Sequence, residues 1–383
     1  MGRRLRLPSF ILFAFVVPGV FAPQEPTGIV TLNFDPQKLY IERRGVDQVV
    51  NFDLLVHNGG HPPLRINKIQ ISVYDAAGAL ALRRYLDDNS RPSGISTLPD
   101  RIVPAGGSLD VFNPFNCFDE ETPLTRLHYE VFFERPDHEE PNVLSFVTKA
   151  EADVYPISYA GKTRLILPLK GRIYVFDGHD FYAHHRRQSV FFGNHFRPNR
   201  VRYAYDLMVT NAFGELYRGD PSKKEDWFSY GSPVFAPATG TVVDVANDVP
   251  ENFYKNNEVI YPVLPKGADP AGVGNHIIID HGNGEFSGLH HLQPGSVRVK
   301  KGDRVNQGEE IGAVGFSGDT FLPHLDYSMM AGADEATGRG LPSYFDNFKR
   351  ILGSLSVGVA HGEIDSGDIV ESLATGYVAG GSR

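Results

Sequence analysis

The chain has 383 residues, 41% of them apolar, with a single cysteine and 37 Lys plus Arg against 46 Asp plus Glu, a formal net charge of −9. That length and apolar content exclude a disordered chain and accommodate two ordinary domains, each burying its own core. The acidic balance, with no dense basic run beyond the first residues, excludes a nucleic-acid groove, because phosphate would be repelled rather than gathered.

The N-terminus reads MGRRLRLPSFILFAFVVPGVFAPQEPTG, with three arginines ahead of an apolar run from Pro8 to Ala22. This three-part pattern predicts a signal peptide over residues 1–22, with Val20 and Ala22 as the small residues before the cleavage point. The run is shorter than the roughly twenty residues a spanning helix needs, and no second apolar span follows. The reading is therefore an exported protein, periplasmic or extracellular, with no transmembrane span in the mature chain. Cys117 has no partner for an intramolecular disulfide, and its setting in DVFNPFNCFDE predicts a buried structural thiol.

From Thr27 to about Phe133 the sequence runs in short alternating segments punctuated by turn residues: GIVTLNFDP, VVNFDLLVHN, RINKIQISVYDAAG, SLDVFNPF and LHYEVFFERP. Segments of this kind predict an antiparallel β-sandwich over 27–150. His57, His61 and His128 fall in or beside these strands without partners at ligand spacing, and are read as structural or surface residues. The polar stretch ERPDHEEPN separates this block from a second, spanning 154–370.

The second block is again mainly β: SPVFAPATGTVVDVAND, GNHIIIDHGNGEFSGLHHL and SVRVKKGDRVNQGEEIGAVGFSG each read as strand, tight turn, strand. One Pro/Gly-rich insertion, ENFYKNNEVIYPVLPKGADPAGVG, is long enough to wall a site. Near the end, YFDNFKRILGSL is the one stretch with helical spacing.

This block gathers histidines beside carboxylates: His195, Asp206, His290, His291, His324 and Asp326. In PHLDY, residues two apart on a strand share a face, so His324 and Asp326 point into one site. Asp206, in RYAYDLMV, shares its face with Ala204 and Met208, and a buried acid needs a partner. His290 and His291 should point to opposite faces of their strand, so that one alone enters the site. His179, His184 and His185, in DGHDFYAHHRR, are read as solvated, and His281, before a hairpin turn, as structural.

Four segments in this order, NHFRPNRVRYAYDLMV, SPVFAPATGTVVDV, HIIIDHGNGEFSGLHHLQPGSV, and VKKGDRVNQGEEIGAVGFSG followed by PHLDY, resemble the M23 (LytM/lysostaphin-type) zinc metallopeptidases over about residues 160–350. The resemblance implies an antiparallel β peptidase core, a zinc ion, and peptide bonds of bacterial peptidoglycan as substrate. It implies His195 and Asp206, eleven residues apart, as metal ligands, and His291 and His324 as the catalytic histidines. The family's terminal His-x-His stands here as His324-Leu325-Asp326, so the third ligand becomes Asp326 by replacement. Zinc accepts carboxylate oxygen at nearly the distance of imidazole nitrogen, although two carboxylates leave its water less acidic and favour harder ions such as Mn2+ or Fe2+. Which of His291 and His324 carries the proton and which stabilises the oxyanion is left open.

Two other readings follow from the same residues. Asp326 could mark a degenerate domain that binds cell wall or regulates a separate hydrolase. VKKGDRVNQGEEIGAVG is also like the half-barrels of biotinyl and lipoyl carriers, but Asn306, Gln307 and Gly308 occupy the hairpin tip where a modifiable lysine would stand.

Overall fold

The computed structural model describes residues 30–136, 146–187, 190–192, 195–197, 199–263, 272, 274–334 and 338–377, and of residues 190–192 and 195–197 the backbone alone. The export segment 1–22 lies outside the described residues. The fold is almost entirely antiparallel β, with three short 3-10 turns among the described residues and no α-helix. No described helix is long and apolar enough to cross a membrane.

Residues 30–154 contribute three small sheets around one core. The longest strand, Leu64–Tyr74, alternates from Ile69 through Ile71 to Val73, all fully buried, and an extra residue at Asn67 returns Ile66 to the same face. It pairs on one side with Arg126–Glu134, whose Leu127, Tyr129, Val131 and Phe133 bury the same face. Leu32, Leu54, Val56 and Val111, from a second sheet, close over them. The period-2 pattern is the physical reason for these strands, since each buries one face and wets the other.

Cys117 obeys that alternation against expectation. In the Cys117–Asp119 strand Phe118 takes the buried position at 1% exposure, which turns Cys117 outward.

The second half is organised by a ten-stranded sheet whose central neighbours are Asn275–Asp280, Phe286–Leu292, Leu325–Met330, Tyr205–Thr210 and Arg172–Asp177. Tyr205, Leu207, Ile277, Ile279, Leu289, Leu325 and Tyr327 fill the core on one face. By parity, Asp206, Asp326 and His290 stand on the other, in register across three adjacent strands.

The YFDNFKRILGSL stretch is a strand, Phe345–Leu352, hairpinned to Leu355–Gly362, and not a helix. Its register to that partner is the same on either side of Asn347, from Asp346 opposite His361 to Phe348 opposite Val359, and Asn347 itself takes φ 52°. That left-handed residue interrupts the strand's alternation, and Phe345 and Phe348, three apart, are both fully buried, which mimics helical spacing.

The two halves interlock. Ile157–Ser158 pairs in parallel with Tyr40–Ile41, and Tyr40 packs into the second core. Arg202 is buried between Asp35, at 2.9 Å, and Asp53, at 2.7 Å, and Arg186 approaches Asp53 at 3.6 Å. Contrary to a solvated role, His179 is 6% exposed, with Nε2 2.5 Å from a Glu42 oxygen and Nδ1 2.8 Å from the Tyr205 hydroxyl.

Candidate metal and catalytic site

Two strands set the acids face to face. Asp206 and Asp326 are direct cross-strand partners, each 5% exposed. Their buried Oδ1 atoms receive no directed hydrogen bond. A buried carboxylate oxygen left in that condition carries a large desolvation penalty unless a cation or another ligand completes it.

The surrounding imidazoles lie close. His324 Nε2 is 3.0 Å from Asp206 Oδ1, His185 Nε2 is 3.7 Å from the same atom, and His290 Nδ1 is 3.6 Å from Asp326 Oδ1. Burial disfavours both carboxylate charges, but His324 and then His185 hold Asp206 below the usual carboxylate range. His290, ahead of His185 and His291, does the same for Asp326.

His185, expected in solvent, is instead 6% exposed at the site. The Asp177 carboxylate explains the fold here: it accepts the backbone N–H groups of His184 and His185, at 2.6 and 2.7 Å, and faces His185 Nδ1 at 2.8 Å. Burial lowers the basicity of His185, while Asp206 and the Asp177 hydrogen bond carry its pKa up to about 10. Ligand atoms of Asp177, His185 and Asp206 lie within 4.8 Å of one another, a spacing that fits one cation. A histidine that offers Nε2 to a metal while Nδ1–H is held by a carboxylate is the usual carboxylate-histidine-metal arrangement. The sequence signal was slight, an acid seven residues before a histidine pair.

His195 lies in the His195–Arg197 strand, paired with Val190–Phe192, and its side chain lies outside the described residues. The structure therefore brings together Asp206, Asp326, His291 and His324 of the expected set, and adds His185 and His290.

His290 and His291 are not split between faces. The pairing advances from Ile277 opposite Leu289 to Asn275 opposite Leu292, one extra residue on the histidine strand, and His291 sits at φ 63°. This bulge buries both rings, His290 against Asp326 and His291 with its ring centroid 4.9 Å from that of His324. A non-glycine residue at positive φ is strained, and such strain concentrates at functional positions. His291 Nδ1 lies 2.9 Å from the Ser317 carbonyl, which fixes the proton there and leaves Nε2 as an acceptor. Burial, followed by the His324 charge, pushes His291 down to about 3. His324 directs Nδ1 at the Leu322 carbonyl, at 2.9 Å, and Asp206 raises its pKa against the opposing effect of burial.

Asp206, Asp326, His185, His291 and His324 line a cavity of about 160 Å³, together with His184, Arg200 and the Asp319–Phe321 loop. The insertion expected to wall a site contributes Gly272 to the cavity, and Tyr261 of the same insertion bonds Asp319 at 3.2 Å.

The model of peptidase family M23 matches residues 226–337, which carry His291, His324 and Asp326. The similarity to that family is confined to this segment, under a third of the chain. Peptidoglycan DD-endopeptidase ShyA of Vibrio cholerae is 39% identical over 57 residues, 15% of this chain and 13% of the relative's length. Among solved structures, the chain is similar to the lysostaphin catalytic domain of Staphylococcus simulans at 19% identity, covering 45% of this chain and 88% of that one, with a TM-score of 0.24. It is also similar to a zinc-containing peptidase from Vibrio cholerae at 14% identity, covering 58% and 82%, with a TM-score of 0.20. Scores this low add no argument of their own. The M23 match begins after His185 and Asp206, so those two positions rest on geometry alone.

Proposed function

We propose that the protein is an exported metalloendopeptidase that hydrolyses peptide bonds of bacterial peptidoglycan. The observation that carries this reading is the convergence of three residues of the M23 segment, His291, His324 and Asp326, with Asp206 in one cavity. Asp206, Asp326 and His185 would hold the ion, with Asp177 orienting His185 from behind. When bound, zinc supplies Lewis acidity that brings a water towards neutral pKa and polarises a carbonyl.

The remaining chemistry belongs to the side chains. His291 Nε2 takes the proton of the attacking water, because its Nδ1–H is committed to Ser317. As the water oxygen bonds to the carbonyl carbon, His324 Nε2–H donates to the developing oxyanion. The C–N bond then breaks, and the proton held by His291 passes to the leaving amine. Two carboxylates in the ligand set keep Mn2+ and Fe2+ as candidates beside Zn2+.

Digestion of purified sacculi by metal-analysed protein tests the reading. Mass spectrometry should find shortened peptide stems or opened cross-links carrying new amine termini. Protein loaded with zinc or manganese that releases nothing would overturn it in favour of a non-catalytic, wall-binding domain.

A further inference from the structure

The cavity contains one cation whose charge is not used. Three carboxylates line it: imidazoles stand 3.0 Å from Asp206 and 3.6 Å from Asp326, and Asp319 accepts from the Tyr261 hydroxyl. Arg200 lines the same cavity, yet among the described residues its side chain makes no ion pair or hydrogen bond. Its Nη1 is wholly buried and without a partner. Nor does Arg200 rank among the principal groups that hold Asp206 and Asp326 ionised.

Leaving a guanidinium nitrogen buried and unsatisfied is costly, and the group that best relieves it is a planar anion taken by two parallel N–H bonds. The backbone beneath Arg200 is fixed. Asn199 next to it donates to the carbonyls of His185 and Arg186, at 2.7 and 3.3 Å. The Arg200 carbonyl packs so tightly on Gly340 that a Cβ there would stand 2.6 Å away. A long side chain rooted on so constrained a backbone is positioned to read rather than to sweep.

We propose that Arg200 binds a free carboxylate of the substrate peptide beside the scissile bond, so that the preferred substrate is an acidic peptide. The assignment rests on the hydrolase reading above and supplies its specificity. It asks nothing of Arg200 in the bond-breaking step, so its loss should appear in KM.

The test uses cross-linked muropeptides in two forms, native and with their carboxylates converted to carboxamides, against metal-loaded wild type, Arg200→Gln and Arg200→Lys of matched metal content and melting temperature. Wild type should favour the native form about tenfold or more in kcat/KM, as a charge-assisted pair implies. Arg200→Gln should cleave the two forms with equal kcat/KM, chiefly through a raised KM for the native form, and Arg200→Lys should restore part of the preference. Equal losses on both forms in Arg200→Gln, or an undiminished preference, would overturn the assignment. Calorimetric binding of both forms separates it from the hydrolase reading. Wild type that cleaves neither but binds the native form more tightly, a difference abolished by Arg200→Gln, would remove the enzyme and support the carboxylate site; equal binding would remove the site.

Discussion

His185 and Asp326 are the residues on which the metal proposal turns. His185→Ala should abolish stoichiometric zinc measured by inductively coupled plasma mass spectrometry, because two carboxylates alone make a poor tetrahedral set. Asp177→Asn, which leaves the ligand but loosens its orientation, should weaken metal affinity roughly 10–100-fold. If His195 is a ligand instead, His195→Ala will empty the site and His185→Ala will not. For Asp326, replacement by Ala should strip the metal, whereas Asp326→His should retain it with a moderate change in turnover. A wild type with little metal that gains occupancy in Asp326→His would mark the site as degenerate.

At the same scale, legibility followed the reach of local rules. The shared face of His324 and Asp326 was readable because strand parity spans only two residues, and Asp206 because an acid among buried apolar residues demands a partner. His185 was not readable. Its burial depends on Asp177 accepting two backbone N–H groups, an irregular loop closure with no periodic signature. His179 was missed similarly, since its partner Glu42 lies 137 positions earlier and nothing local announces the pairing.

For the elements, the strands of the second half were legible from their alternation, and both errors of parity came where a non-glycine residue takes a left-handed backbone conformation. At Asn347 the positive φ let two buried phenylalanines stand three apart and look helical, and at His291 a bulge brought neighbouring histidines into one site. The His291 bulge is braced by a loop contact that can be perturbed from outside. Gly274 takes φ 68°, and a Cβ there would stand 2.4 Å from the Ser317 carbonyl oxygen, the acceptor of His291 Nδ1–H. Gly274→Ala should therefore lower stability by at least about 1–2 kcal/mol from its backbone conformation alone. It should also reduce kcat more than KM by moving Ser317, with zinc content unchanged. A melting curve and steady-state kinetics on the same preparation check this, and lost zinc would relocate the damage to the ligands.

For the molecule as a whole, the contact between halves is electrostatic as well as apolar, and part of it titrates. His179 Nε2 lies 2.5 Å from a Glu42 carboxylate oxygen and its Nδ1 2.8 Å from the Tyr205 hydroxyl, which donates to the Ser343 carbonyl at 2.8 Å. Burial opposes the charged form, but Glu42 raises the pKa above its ordinary value. A raised folded pKa contributes stability that is fully present below the unfolded value of about 6.5 and is lost as pH rises through the folded value. The difference in melting temperature between wild type and His179→Gln should accordingly be largest near pH 6 and shrink on the alkaline side. A difference that grows with pH would show that the ring is buried neutral.

The Arg202 and Arg186 contacts with Asp35 and Asp53 bear on how such a chain can be recombined. Arg186 directly follows His185, and Arg202 lies four residues before Asp206, so the carboxylates that neutralise both arginines lie in the first half while the site they flank lies in the second. A chimera that kept residues 155–383 and replaced what precedes them with a foreign targeting module would retain two buried guanidinium groups facing no anion, a defect worth several kcal/mol. Swapping modules, the ordinary route by which a hydrolase is redirected to a new surface, is closed to this chain unless the donor brings two acids at the places of Asp35 and Asp53.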